Sequence, residues 1–387
     1  MPKLNKDYLS YWKIRGSFAS VGTAFERYIA NPLFAWNTSI GQWSNLTDFP
    51  VYDLKPERTN SFEVGMNMRF LKNFELDVTY YNAKTMNQTF NPELPVGEYA
   101  RIYIQTGAVR NQGLELALNY NNTWKDFTWN TGVTYSMNKN KILTLADNAI
   151  NPITREKFSI SSLNMGGLGS TRFILKEGGS MGDIYSLMDL KRDANGAVYI
   201  DENNSVVTES LEANNYIKLG SVLPKGNLAW RNNFSWKNIN VAFLVSARLG
   251  GVVFSRTQAV LDNFGVSEAS AAARDKGYVS VNGNDRVNPE GWYSVVAGGT
   301  AVPQYYIYSA TNIRLQEASI GYTIPRKWLG NVCDIKVSLI GRNLWMIYNK
   351  APFDPESVAS TDNFYQGIDY FMMPSLRNIG FNLSFKF

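Results

Sequence analysis

Phe381-Asn382-Leu383-Ser384-Phe385-Lys386-Phe387 closes the chain. Apolar residues at every second position, with polar ones between, give the period-2 signature of a strand that has one apolar and one wet face. Upstream, Cys333, Ile335, Val337 and Leu339 alternate with Asp334, Lys336 and Ser338, in a run that closes on Arg342-Asn343. The single cysteine therefore reads as a small apolar strand residue, with no second cysteine to pair with.

The same pattern recurs in pairs. Phe62, Val64, Met66, Met68 and Phe70 lead through Lys72-Asn73 to Phe74, Leu76, Val78 and Tyr80, a hairpin with a tight turn. A second pair runs from Leu114 to Tyr120, turns within 121–126 and returns from Phe127 to Tyr135. A third runs from Leu228 to Phe234, turns at Lys237-Asn238 and returns from Ile239 to Leu249. In a fourth, Ile313 and Leu315 share a face but the later apolar set is Ala318, Ile320 and Tyr322. That slip of phase predicts a β-bulge near Gln316-Glu317, before a turn at 325–332. With the first strand at Trp12, Ile14 and Phe18, the reading gives about ten strands of barrel length.

Connections alternate strictly between these tight turns and long, Gly/Asn/Ser-rich stretches at 22–60, 86–112, 138–226, 251–311 and 345–376. Unstructured loops of that length are foreign to a compact soluble domain but expected of an outer-membrane barrel, with short periplasmic turns and long extracellular loops. A last strand descending to the periplasm makes the first of ten ascend, so every long connection falls outside. The fold class is all-β, an antiparallel transmembrane barrel whose apolar face meets lipid and whose polar face meets water.

Composition agrees. Of 387 residues 14% are aromatic, with 22 Tyr, 21 Phe and 10 Trp, while 18% are charged, against roughly 25% in a soluble domain. Mean hydropathy is −0.25 and no stretch approaches the ~18 apolar residues of a membrane helix. Tyr80-Tyr81, Trp124, Trp129, Trp236, Trp328 and Trp345 near strand ends suit the two membrane interfaces. The formal charge of +5 is spread without a basic run, so no nucleic-acid partner is expected.

Catalytic chemistry is sparse. The chain has no histidine, the commonest general base and metal ligand, and one cysteine, so zinc sites of the usual type are out. Asp193, Asn195, Gly196 and Asp201 resemble a calcium loop but lack the late bidentate Glu, and read as turns. Asp354 and Glu356, spaced as a carboxylate pair could be, read as loop residues stiffened by Pro355. Neither an enzyme nor a cofactor is expected.

Several words, in order and over essentially the whole chain, resemble the SusC/RagA family of TonB-linked outer-membrane proteins of Bacteroidetes. They include Lys13-Ile14-Arg15-Gly16-Ser17-Phe18, Leu54-Lys55-Pro56-Glu57-Arg58-Thr59, Asn111-Gln112-Gly113-Leu114-Glu115 and Leu219-Gly220-Ser221-Val222-Leu223-Pro224. The end is most specific: Ile313-Arg314-Leu315-Gln316-Glu317, Gly321-Tyr322-Thr323-Ile324-Pro325, Gly341-Arg342-Asn343-Leu344, Asp354-Pro355-Glu356 and Phe387.

The resemblance implies a barrel of about 22 strands, a SusD-like surface lipoprotein as partner, glycans or peptides as substrate, and energy from the TonB complex through an N-terminal plug. Residues 1–387 then form the C-terminal portion of that barrel. Signal peptide, plug and first strands are expected elsewhere, since the start lacks an apolar leader and ten strands leave two sheet edges open in lipid. Candidate ligand contacts are the loop aromatics Trp36, Trp43, Tyr99, Trp292, Tyr293, Tyr305 and Tyr306, whose rings could stack on sugars, grip peptide side chains or pack against a lid. Two other classes compete. A soluble all-β carbohydrate-binding module predicts short connections at both strand ends; a passive porin shares the barrel but not the family words.

Overall fold

The computed structural model describes residues 8–25, 27–30, 33–44, 48–49, 55–91, 101–150, 154–299, 301–330, 332–360 and 365–386. Ten long strands form one sheet: β1 (Leu9–Thr23), β2 (Glu57–Phe70), β3 (Phe74–Phe90), β4 (Ile104–Trp124), β5 (Phe127–Thr144), β6 (Gly226–Trp236), β7 (Ile239–Leu249), β8 (Asn312–Ile324), β9 (Asp334–Asn349) and β10 (Asn378–Lys386). Each is hydrogen-bonded antiparallel to the next in sequence, an up-and-down meander. Among the described residues the outer edges of β1 and β10 pair with no strand.

Register carries the period-2 pattern across the whole sheet. One row runs Trp12, Met68, Leu76, Leu118, Val133, Trp230, Val245, Leu315 and Trp345 over nine strands, apolar throughout. These side chains point away from the sheet's concave side and stay accessible; Trp12, Trp230 and Trp345 are all exposed. Toward the turn end, aromatic rings touch from strand to strand: Phe70–Phe74 (5.4 Å between centroids), Phe74–Tyr120 (4.8 Å), Tyr120–Trp129 (5.3 Å), Trp129–Phe234 (6.1 Å) and Phe234–Phe243 (6.2 Å). The Trp129 indole N–H donates to Asn232 Oδ1 at 3.1 Å, giving the ring its polar partner.

The turns are tight because single residues adopt left-handed backbone. Leu71 and Lys72 (φ 48° and 63°) turn β2 into β3, one residue earlier than the sequence pattern places it, and Lys237 (φ 49°) turns β6 into β7. Between β4 and β5 the strands persist to Trp124 and from Phe127, so only Lys125-Asp126 turns, not all of 121–126. The bulge falls where the phase slips: Leu315 pairs with Trp345 and Glu317 with Arg342, leaving Gln316 outside the ladder. A 3-10 turn at Arg326–Leu329, ended by left-handed Gly330, joins β8 to β9.

The long connections are not the unstructured loops that their composition predicts. The β5–β6 connection folds into a four-stranded sheet of Ser162–Leu168, Thr171–Lys176, Asp183–Ser186 and Ile217–Ser221. The β7–β8 connection holds the helices α1 (Arg256–Asn263), α2 (Glu268–Lys276) and α3 (Pro289–Val296), capped by Ser255, Ser267 and Asn288. Its strand Val252–Ser255 pairs with Ile307–Ser309 on one side and with Ile368–Asp369 of the β9–β10 connection on the other. Phe173, Ile184, Leu190, Phe254, Val296 and Ile368 thus meet in one buried core built by three connections. Gly and Asn supply the turns, while apolar residues too scattered for periodicity supply that core.

Candidate functional site

The concave face of the sheet is polar. The row three positions from the apolar one reads Arg15, Gly65, Thr79, Glu115, Ser136, Asn227, Arg248 and Asn312, on β1 to β8. Arg15 lies across β2 to reach β3, donating to Asp77 at 2.8 Å and also to Asn67 and Thr79. Gly65 permits that path: a Cβ there would stand 2.7 Å from the Arg15 guanidinium carbon. Glu115, Ser136, Asn227, Arg248 and Glu356 line a cavity of about 510 Å³ in this wall. A larger cleft of about 870 Å³ lies at the loop ends of β2 and β3, between Glu57 and Gln88 of the wall and Arg172 and Tyr365 of the connections.

A buried ion cluster fastens the cap to the wall. Arg314 of β8, only 4% exposed, contacts Asp354 at 2.8 Å and Glu356 at 3.2 Å, and its Nε donates to Asn312 Oδ1 at 3.1 Å. Asn312 in turn donates to Glu356 at 3.3 Å, and the Ser375 hydroxyl to Asp354. Burial pushes the Asp354 carboxyl up, but Arg314, Ser375 and the Glu356 backbone N–H outweigh it and hold the group below the usual carboxylate range. Two of the words that stood out in sequence, Ile313-Arg314-Leu315 and Asp354-Pro355-Glu356, are therefore one clasp. Beside it Arg248 donates to the Val222 carbonyl at 2.7 Å, tying in the β5–β6 connection.

The candidate aromatics separate. Trp36 and Trp43 pair edge to face at 5.3 Å, both exposed, on a short hairpin of the β1–β2 connection. Trp292 and Tyr305 form a second such pair at 5.2 Å, with Trp292 against the cap core. Tyr293, on α3, is half-buried. Tyr306 is buried in the cap core, its hydroxyl donating to Asp262 at 3.0 Å; burial and the Asp262 charge push that hydroxyl far above its ordinary value. In this structure its duty is packing. Tyr99 lies outside the described residues. The carboxylates of the calcium-like stretch are occupied by backbone: Asp193 accepts from Asn195 N–H (2.8 Å) and Asp201 from Asn203 N–H (2.9 Å), two consecutive Asx turns.

A meander with an apolar outer face, a polar concave face, tight turns at one end and a folded cap at the other is the wall of an outer-membrane β-barrel. Residues 2–344 match the model of the family described as TonB dependent receptor-like, beta-barrel. The chain belongs to that family. TonB-dependent receptor P3 of Formosa agariphila is 25% identical over 434 residues, spanning 98% of this chain and 40% of the relative; receptor P26 of the same organism is 27% identical over 356 residues, 86% and 34%. The chain thus spans about two fifths or less of the curated relatives it matches. Among solved structures, the RagAB peptide importer in its closed-closed state superposes over 100% of this chain and 42% of its own, with a TM-score of 0.73 at 17% identity. Its open-open state gives 0.71, over 100% and 41% at 17% identity. The fold expected of a SusC/RagA-type barrel is the fold found.

Proposed function

We propose that this chain is the C-terminal wall of a TonB-dependent outer-membrane importer of glycans or peptides, working with a SusD-like surface lipoprotein. The observation that carries the reading is the polar concave wall capped by three folded connections, in a member of this family. A signal peptide, plug and first strands belong to the same receptor in this reading. Unpaired backbone at the edges of β1 and β10 is costly in lipid, and further strands remove that cost. The protein performs no covalent step; TonB acts on the plug. The exposed pair Trp36–Trp43 and the exposed ring of Tyr305, backed by half-buried Trp292, serve as cargo or lid contacts, as amphipathic rings do at wet surfaces.

Energised uptake tests this. Cells lacking the gene should lose accumulation of the receptor's labelled peptide or glycan, and wild-type cells should lose it when a protonophore collapses the inner-membrane gradient. Uptake that survives the protonophore fits a passive porin instead.

A further inference from the structure

The outer face of the wall changes character toward its extracellular end, on one side only. Lys84 of β3, Arg110 of β4 and Lys141 of β5 stand directly opposite one another in the ladder. All three lie on the outward alternation of their strands, as Leu76, Val78 and Tyr80 do beneath Lys84. Lys139, one outward position below Lys141, and Arg58, at the upper end of β2, extend the row into a patch of five cations.

Arg110 is half-buried and the other four are exposed. Arg58 donates to the Ser20 hydroxyl at 2.8 Å, while the side chains of Lys84, Arg110, Lys139 and Lys141 have no hydrogen-bond or ion-pair partner among the described residues. No acidic residue occupies an outward position on β1 to β5. Neighbouring strands lie about 4.8 Å apart, and like charges directly opposite destabilise a sheet, so an anion seated among these groups removes a standing repulsion. A general girdle of interfacial cations would continue around the wall, but β7 and β8 present no charge outward.

We propose that this patch binds the phosphates of an anionic lipid of the outer leaflet, whose acyl chains lie on the apolar residues beneath. Height supports that occupant. Lys84 stands ten positions above Phe74, the first residue of β3. On a wall tilted by about 40° that is roughly 25 Å, the upper edge of the ~25 Å apolar band, where headgroups begin. The Arg110 guanidinium can take a phosphate through two parallel hydrogen bonds, with the lysines beside it as point charges. Below them Phe62 and Tyr80, both exposed on the same face, continue the site into the hydrocarbon. A soluble anion would use the cations and leave that apolar slope unused. The site lies on the far side of the wall from the lumen, so it is independent of what the receptor imports.

Native mass spectrometry of the full-length receptor in detergent, titrated with diphosphoryl lipid A, its monophosphoryl form, phosphatidylcholine and inorganic phosphate, tests the site. Affinity should fall in that order, because a basic residue near an anionic lipid contributes roughly fivefold to binding. The combined variant Lys84→Gln, Arg110→Gln and Lys141→Gln should weaken the diphosphoryl lipid roughly hundredfold and bring it to the level of phosphatidylcholine. Lys191→Gln, Lys276→Gln and Arg286→Gln together, the same change of net charge placed on the cap, should leave lipid binding unchanged. If the combined wall variant gives no heat-modifiable barrel, Lys84→Gln alone carries the test with a roughly fivefold loss. Phosphatidylcholine binding as tightly as the diphosphoryl lipid, inorganic phosphate displacing that lipid at equal concentration, a loss shared by the cap variant, or full affinity in the wall variant overturns the site.

Discussion

Wall and cap use the same residues in opposite senses. Phe381 in the wall is 77% exposed, while Phe173 and Phe254 in the cap are 0% exposed. In the wall every second side chain turns outward, because a single sheet has no interior and its apolar face needs an external apolar medium. In the cap, short strands and helices of eight or nine residues, too small to bury a face alone, pool apolar residues from three connections and exclude water as a soluble domain does. The difference lies in solvent: lipid completes the wall, and the chain itself completes the cap.

Emptying each half of its apolar residues should therefore have different consequences. Phe254→Ala should destabilise the cap by about 3–5 kcal/mol, the cost of a buried cavity, seen as proteolysis of the β7–β8 connection while the heat-modifiable barrel band survives. Loss of the barrel band together with the cap would show that the two regions fold as one. Arg314→Ala removes one partner of the buried clasp and leaves Asp354 uncompensated, which should cost roughly 3 kcal/mol or more. Hydrogen exchange should then rise across 350–377. Unchanged exchange there would mean that Ile368, paired beside Phe254, holds the connection without the clasp.

The wall should be sensitive to charge where the cap is sensitive to volume. Leu339, exposed on the outer face about five residues above the start of β9, sits near mid-band, and Leu339→Arg should cost about 2–4 kcal/mol on refolding into bilayers. Insensitivity in lipid would break the assignment of that face. Gly65→Ala is subtler. Its methyl meets the Arg15 guanidinium, so the variant should lose roughly 1–3 kcal/mol, and the loss should shrink in an Arg15→Ala background.

The two regions were also unequally legible. Strands, turns and the bulge at Gln316 could be read because a two-faced sheet writes its register as period 2, and a slip of one residue changes face. The cap could not, because its core draws Phe173, Phe254 and Ile368 from segments nearly two hundred residues apart, with no period to betray them. Tyr306 looked like a surface ring because Asp262, which buries it, lies 44 residues away in sequence. The clasp was half legible. Both of its words stood out, but their meeting depends on a bulged strand and a folded connection. Ser136, Asn227 and Arg248 were ordinary polar alternates until register aligned them with Glu115.

The clasp also gives the cap a dependence on pH that the wall's apolar face lacks. Arg314 stays charged throughout, so the titrating partner is Asp354, whose folded pKa lies below its unfolded value near ~3.9. Its stabilisation is complete above that unfolded value and is lost as pH falls through the lower folded one. Exchange across 350–377 should therefore be flat from pH 7 to about 5 and rise only below about 4, after correction for intrinsic rates. Asp354→Asn should start loose and show no such rise. Loosening that sets in between pH 5 and 7 would assign the latch to a group other than this carboxylate, and would separate cap closure from the Arg314 cluster.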